Sequence, residues 1–402
     1  MKIYAQKGKM AKLRRSVLSI AAGLSLALSV PALAAPEPVV TPTVTAAYSH
    51  SVVQASDGSI WHWGGIGDVV KDKYTLRDNT PKAVQDLQDV AEIQSYREKQ
   101  LILKKDGTVW EREPSIRVIS EKPYNAVMEF AAPKQIEGVN HIVKISAGDV
   151  FSAIDKDGAV WVWHPLVNYN GVHKLENITD AKDISWNGDA GIHILKGDGT
   201  VWEWTAYGEN IKFVPADKEF TQDKFAKNNE YAVRNINVNT NYEALQMKGM
   251  NNIVALSKGS SGKQNFAIEK DGTVWGWGEN YKGTLGLPAD KTLVDKPVKI
   301  KSLTDVSSIV TSRLSTLVLK KDGSLWGLGY NVGDYPYEFK NGDELRKVNG
   351  LEKVTSVAMG ANHAVAITED GKLWAWGKNN GGELGDATFK DSLKPIFIKQ
   401  FK

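Results

Sequence analysis

The chain has 402 residues, 42% of them hydrophobic and 24% charged, which is enough apolar content to bury a large core. It contains no cysteine, which excludes disulfide staples, thiolate metal sites and cysteine nucleophiles together. The formal charge of +3 arises in the first 34 residues, which hold six basic side chains and no acid; the remainder has 44 basic residues against 47 acidic, or −3, and gives no electrostatic reason to expect nucleic-acid binding.

Residues 1–34 have the three parts of a secretory signal peptide. Lys2, Lys7, Lys9, Lys12, Arg14 and Arg15 supply a basic start, residues 17–30 an apolar stretch, and Ala32-Leu33-Ala34 a small-residue cleavage signal. Fourteen apolar residues are too few for an ordinary membrane span, so no stable span is expected after cleavage. Residues 35–43 read as a short linker. The expected location is secreted or cell-envelope. The signal peptide and the missing cysteines suggest a bacterium, and the Lys- and Asn-rich composition is compatible with a Gram-positive one.

The rest, residues 44–402, is one repeat in seven copies. Asp-Gly recurs at Asp57, Asp106, Asp157, Asp198, Asp271, Asp322 and Asp370. Four positions after each Asp stands a tryptophan: Trp61, Trp110, Trp161, Trp202, Trp275, Trp326 and Trp374. Five copies add a second at Trp63, Trp163, Trp204, Trp277 and Trp376, so 12 of the 13 tryptophans occupy two positions of one register. In the other two copies Arg112 and Leu328 take the second place. Asp-Gly between two apolar, β-prone runs predicts a hairpin, expected as a type I′ turn. In Trp-x-Trp both indoles share one face of a strand, where they pack in the core. Glycines beside them allow close backbone approach, expected from a neighbouring sheet.

A further element, Pro81-x-x-Val84, Pro133-x-x-Ile136 and Pro297-x-x-Ile300, precedes most hairpins, so one repeat holds about four short strands. The Asp-Gly spacings are 49, 51, 41, 73, 51 and 48 residues. Four strands per ~50 residues describe a propeller blade, and seven copies lie in the usual range. The fold class is therefore all-β, a seven-bladed β-propeller. The first copy lacks the proline element and the last is followed by a surplus one, Pro395-Ile396-Phe397-Ile398. The C-terminal strand is accordingly expected to pair with the first blade and close the ring.

The run from Gly360 through Asn362-His363, Asp370-Gly371, Trp374-Ala375-Trp376-Gly377-Lys378-Asn379 to Leu384-Gly385 resembles the repeat of the regulator-of-chromosome-condensation family. Trp275-Gly276-Trp277-Gly278-Glu279-Asn280 with Leu285-Gly286 resembles it equally, and the resemblance extends over roughly residues 44–402. It implies a seven-bladed propeller, in agreement with the independent count. Repeats 2 and 4 lack the Trp-Gly-x-Asn and Leu-Gly segments.

The long spacing between Asp198 and Asp271 marks an insertion at about 207–242. It is polar and rich in charge. Glu209, Lys212, Lys218, Glu219, Lys224, Lys227 and Arg234 are its candidate partner-binding residues, because long segments in compact folds are functional or disordered. Residues 112–132 are a second candidate. His50 and His363 each lie seven residues before their Asp, in blades 1 and 7. A metal or catalytic pair and a structural hydrogen-bonding role are the alternatives, and the resemblance favours the second, since the family's repeat often carries His there. Asp155-Lys156-Asp157-Gly158 lacks the full calcium-loop pattern and reads as a turn. Gly259-Ser260-Ser261-Gly262-Lys263 lacks P-loop spacing. No residues assemble a nucleophile, a base and its orienter, so no catalytic, cofactor or metal site is expected.

The expected function is a monomeric secreted or surface protein-binding module, with inhibition of an extracellular enzyme as a subtype. The alternatives are a carbohydrate-active or other envelope enzyme, and the guanine-nucleotide exchange that the resemblance implies. A signal peptide and an acidic mature chain argue against the last.

Overall fold

The computed structural model describes residues 41–65, 77–121, 124–164, 171–188, 191–206, 242–259, 262–329 and 344–401; for Arg77 and for 115–129 only the backbone is described. The proposed signal peptide, residues 1–34, and most of the linker lie outside the described residues.

Seven sheets follow one another along the chain, each built of four antiparallel strands in sequence order from inner to outer edge; in the sixth, Lys258–Gly259 adds a short parallel strand beside the inner one. The inner strands are Thr43–Ala47, Val90–Tyr96, Ile142–Ser146, Ala181–Trp186, Ile253–Leu256, Val306–Ser312 and Val354–Met359. Each touches the next, and the last touches the first, which closes the ring. Apolar clusters occupy every seam between blades rather than one central core. Two strand faces per blade must therefore be apolar, and the second strands are buried almost throughout, as in Gln264–Glu269 and His363–Thr368.

The two tryptophan positions do different work. The second indoles are core: Trp63 is fully buried, and Trp376 is only 1% exposed. The first indoles lie half-buried at the rim, each Nε1 donating to a residue of its own turn. Trp61 and Trp110, for example, bond Ser59 Oγ at 2.9 Å and Thr108 Oγ1 at 2.8 Å.

Three expectations are corrected. The Asp-Gly turns are not type I′. Only the glycines have positive φ, from 78° to 92°, whereas type I′ requires it at both central residues. Gly58 N bonds Ala55 O and Ala55 N bonds Ser59 O, the pattern of a three-residue loop ending in a left-handed glycine. Asp57 stays right-handed because its carboxylate accepts from Ser59 N and Oγ, at 2.9 and 2.6 Å.

Secondly, the C-terminal strand does not pair with the first blade. Ser392–Gln400 is the outer strand of blade 7, paired with Lys372–Gly377, and blade 1 supplies its own outer strand, Arg77–Val84. The proline elements therefore end a blade rather than begin one. Physically this follows from proline, which lacks an N–H and is at home on a sheet edge. The ring closes by docking instead. Phe401, just past the last strand, packs edge-on against Trp61 of blade 1 at 5.7 Å. Ser51 Oγ meets His363 Nε2 at 2.8 Å, and Trp63 Nε1 donates to Glu383 O at 2.8 Å.

Thirdly, the glycine directly after the second indole in blades 1, 5 and 7 (Gly64, Gly278 and Gly377) admits its own blade, whereas Gly65, one residue further on, meets Gly381 of the neighbouring blade 7. A Cβ on Gly377, at φ +109°, would stand 2.5 Å from Asn362 O in the preceding loop of blade 7.

Candidate functional site: the loop face

Strands that alternate direction send their connections alternately to two faces. One face carries the seven Asp-Gly turns and the short links from outer strand to next inner strand. There the blades are joined by a repeated backbone hydrogen bond: Ile142 N to Gly107 O, Ala181 N to Gly158 O, Ile253 N to Gly199 O and Val354 N to Gly323 O, all 2.9–3.0 Å. After blade 7 there is no further inner strand, and Phe401 N takes its place on Gly371 O at 2.8 Å. The carboxylates of Asp57, Asp106, Asp198, Asp322 and Asp370 are held below the usual Asp range, chiefly by hydrogen bonds from the Ser, Thr or Lys two residues on, with Asp370 reaching about 2.

The opposite face carries the connections that differ. In blades 5 and 7 the third strand leads into a loop organised by a buried asparagine. Asn280 Oδ1 accepts from Leu285 N at 2.8 Å, and its Nδ2 donates to Leu287, Pro288 and Lys291 carbonyls at 2.8–3.2 Å. Asn379 does the same with Leu384 N and with Thr388 and Lys390 carbonyls. This is the physical content of Trp-Gly-x-Asn followed by Leu-Gly.

Blade 2 replaces that loop with a hairpin, Pro114–Glu121 paired with Tyr124–Phe130, so the second sequence candidate is an added β-ribbon. It grows from Arg112, which stands where five blades have their core indole. Arg112 is 4% exposed. Between blades 2 and 3, Tyr96 donates to Asp149, and Arg97 lies over the Tyr96 ring at 5.4 Å. Burial, then Asp149, pushes the Tyr96 phenol up.

In blade 4 the chain leaves at Ala206 and returns at Tyr242. The insertion residues Glu209, Lys212, Lys218, Glu219, Lys224, Lys227 and Arg234 lie outside the described residues. Its return point is anchored by ring stacking and hydrogen bonds. Tyr242 stacks on His173 at 4.3 Å and faces Trp204 at 6.2 Å, while Asn177 exchanges two hydrogen bonds with Ala244, 2.8 and 2.9 Å. Tyr48 and Tyr281 also expose about half their surface on this face.

The two histidines do not converge on a ligand. His363 crosses the blade 7–1 seam to Ser51, whereas His50 turns to the other side of its strand, 6.5 Å from Phe130 of blade 2. Burial holds both neutral, lowering His50 to about 3 and His363 to about 4. Asp155 uses its carboxylate on Asp157 N, Ala159 N and Trp161 Nε1, as a turn residue does. No cluster of three or more His, Asp or Glu suited to a metal occurs among the described residues, and no helix among them is long and apolar enough to cross a membrane.

The asparagine hubs and Arg112 were not singled out as functional from sequence. The hubs had a signal in the Trp-Gly-x-Asn run, and Arg112 had one in the missing indole.

Two models of the regulator of chromosome condensation (RCC1) repeat match the chain, one at residues 271–319 and 370–402, the other at 354–383. These matches fall on blades 5 and 7 with their asparagine hubs, and on the start of blade 6. No curated protein matches by sequence. Human WBSCR16 is similar in structure, with a TM-score of 0.61, 17% identity, and coverage of 85% of this chain and 95% of that one. A chain from the crystal structure of Kap60 bound to yeast RCC1 (Prp20) also gives 0.61, at 21% identity, covering 85% and 84%. At such identities the likeness is one of fold, and it agrees with the blade count: the chain is a seven-bladed β-propeller carrying regulator of chromosome condensation (RCC1) repeats.

Proposed function

We propose that this chain is a non-catalytic, protein-binding propeller that acts outside the cytoplasm and takes its partner on the loop face. One observation carries the reading. All the segments that break the repeat, at blades 2 and 4 above all, leave from a single face, while the other face repeats one turn seven times. Rigid scaffolds that vary only their loops are suited to recognition. The leader-like residues 1–34 support export, and inhibition of an extracellular enzyme is one form such binding takes.

The test places a photo-crosslinking amino acid at four exposed positions in residues 35–402. Tyr48 and Tyr281 report the loop face; Asp57 and Asp322 report the turn face. Each variant is irradiated with envelope and culture-fluid proteins of the source organism. Adducts of one protein from the loop positions alone support the proposal. Adducts from the turn positions alone, or from none, reject it. Replacing residues 208–240 with a short Gly-Ser linker then shows whether the insertion supplies the contact.

A further inference from the structure

The seam between blades 1 and 2 is unlike the other six. Where five blades bury an indole it buries the Arg112 guanidinium. Arg112 Nε donates to Gln100 Oε1 at 2.8 Å, and Nη1 reaches Asp86 at 3.2 Å. Phe130, the last residue of the added hairpin, lies under the guanidinium at 4.4 Å and beside the His62 and His50 rings at 5.4 and 6.5 Å. One ring thus gathers three nitrogen-bearing side chains.

These groups are short of acceptors. Arg112 Nη2, Gln100 Nε2 and His50 Nε2 are buried without a hydrogen-bond partner among the described residues. Their side chains belong to residues 4%, 0% and 3% exposed. Leaving a buried N–H unpaired costs about 1–3 kcal/mol, more when the group is charged. The one carboxylate on the guanidinium among the described residues, Asp86, is half exposed, so it neutralises the buried charge only from one side. The imbalance is also felt by the neighbours: burial lowers Arg112 to about 10, and Arg112 helps to keep His50 and His62 neutral.

We propose that this seam is a binding site for a single oxyanion group, a carboxylate or a phosphate, held by Arg112 Nη2, the Gln100 amide and the His50 ring N–H. The chemistry fits in three respects. The guanidinium and amide donors belong to one hydrogen-bonded pair of side chains, and His50 shares the Phe130 ring with the guanidinium. A planar or tetrahedral oxyanion presents several acceptor lone pairs to them. The Phe130 ring closes one side and excludes water, which strengthens each bond. The group has two sources, a free small anion or an acidic residue of a bound chain, and the same donors serve both.

The experiment measures thermal unfolding of residues 35–402 at pH 7 and constant ionic strength, in chloride, acetate and phosphate, and with an N-acetylated Glu-containing tetrapeptide. Titration calorimetry follows with any ligand that raises the Tm. The companion variants are Arg112→Trp, which installs the indole of the other blades, and Gln100→Leu. The expected result is a Tm rise of about 2–4 °C with at least one oxyanion over chloride, lost in both variants. Phosphate or acetate acting alone identifies a free anion; the peptide acting alone identifies an acidic chain. No rise with any of them overturns the proposal. So does an equal rise in Arg112→Trp, which would mark unspecific anion effects. Should Arg112→Trp not fold, Gln100→Leu decides, since it removes one donor and leaves the cation in place.

Discussion

The turn face and the loop face are built from the same strands, yet they have diverged. On the turn face, all seven Asp-Gly loops present a left-handed glycine; in blades 2, 3, 4 and 6 its carbonyl is taken by the start of the next blade and in blade 7 by Phe401, so these copies share one kind of neighbour and one reason to stay unchanged. On the loop face, the connection is an asparagine hub in blades 5 and 7, a hairpin in blade 2, and a long insertion after Ala206 in blade 4. A turn that holds two blades together is constrained twice. A loop whose contacts differ from blade to blade, as Glu383 on Trp63 and Thr284 under Thr316 do, is free to take on a partner. The contrast separates the residues that maintain the ring from those on which recognition can be built.

The sharpest way to break this contrast is to cut each face once. Deleting residues 393–402 removes the outer strand of blade 7, the Phe401–Gly371 bond and the ring packed on Trp61. Thermal unfolding is expected at a Tm lower by ~10 °C or more, with much of the protein aggregated. Replacing 208–240 with a linker is expected to shift Tm by ~2 °C at most, since the return end stays clamped by Asn177 and Tyr242, and the Tyr242 ring faces Trp204 of the departing strand. Comparable losses from the two cuts would erase the distinction between faces.

A smaller effect separates the two indole positions. Trp376→Ala empties a fully buried site in the blade 6–7 seam and is expected to cost about 3–5 kcal/mol by denaturant titration. Trp374→Ala, at the half-buried rim beside Phe397, should cost about half as much. Equal costs would mean that the rim indoles are core as well.

Much of this was legible in the sequence because the repeat reports itself. Asp-Gly and Trp at fixed offsets mark seven hairpins, and ~50 residues per copy leave room for four strands. The phase of the blade was not legible from periodicity, since a ring of repeats looks the same wherever the unit is cut. Pro81, Pro297 and Pro395 held the missing information, because a proline strand belongs at an edge. The turn type was missed because Asp-Gly suits two loop lengths, and the choice falls to the Asp carboxylate and the residue two positions on. Arg112 showed as a gap in the tryptophan pattern, but only packing reveals that the gap is filled by a buried cation.

The seam between blades 7 and 1 has its own pH signature. His363 titrates near 4 in the fold, against 6.5 unperturbed, because burial disfavours its cation. Above pH 6.5 it is neutral folded or unfolded and makes no pH-dependent contribution. As pH falls from 6.5 towards 4, the unfolded chain takes up a proton that the fold refuses, and stability drops by about 1.4 kcal/mol per pH unit, roughly 3 kcal/mol in all. His363→Gln should make the stability profile shallower across that window, leaving the part of the slope that His50 contributes. His50 extends the same loss down to about 3. Asp370 acts lower still: its stabilising charge is lost as pH falls from 3.8 through about 2, so the windows are distinguishable. An unchanged slope in His363→Gln between pH 6.5 and 4 would place the titrating groups elsewhere.

The smallest effect tests the turn face directly. Asp322 Oδ1 accepts from Ser324 N at 2.8 Å and from Ser324 Oγ at 2.6 Å, and the same hydroxyl receives Trp326 Nε1 at 2.8 Å. Asp322→Ala removes the acceptor at the head of this relay and leaves the left-handed Gly323 in place. Because the turn is exposed, water replaces part of what is lost, and only a small fall in the denaturant midpoint is expected. Asp322→Asn, which keeps a carbonyl acceptor, should recover most of it. Crosslinking from Tyr48 and Tyr281 should be the same in both variants as in the parent, because the turn acts on the ring and not on the partner. A variant that kept its stability but lost the crosslink would reverse the assignment of the two faces.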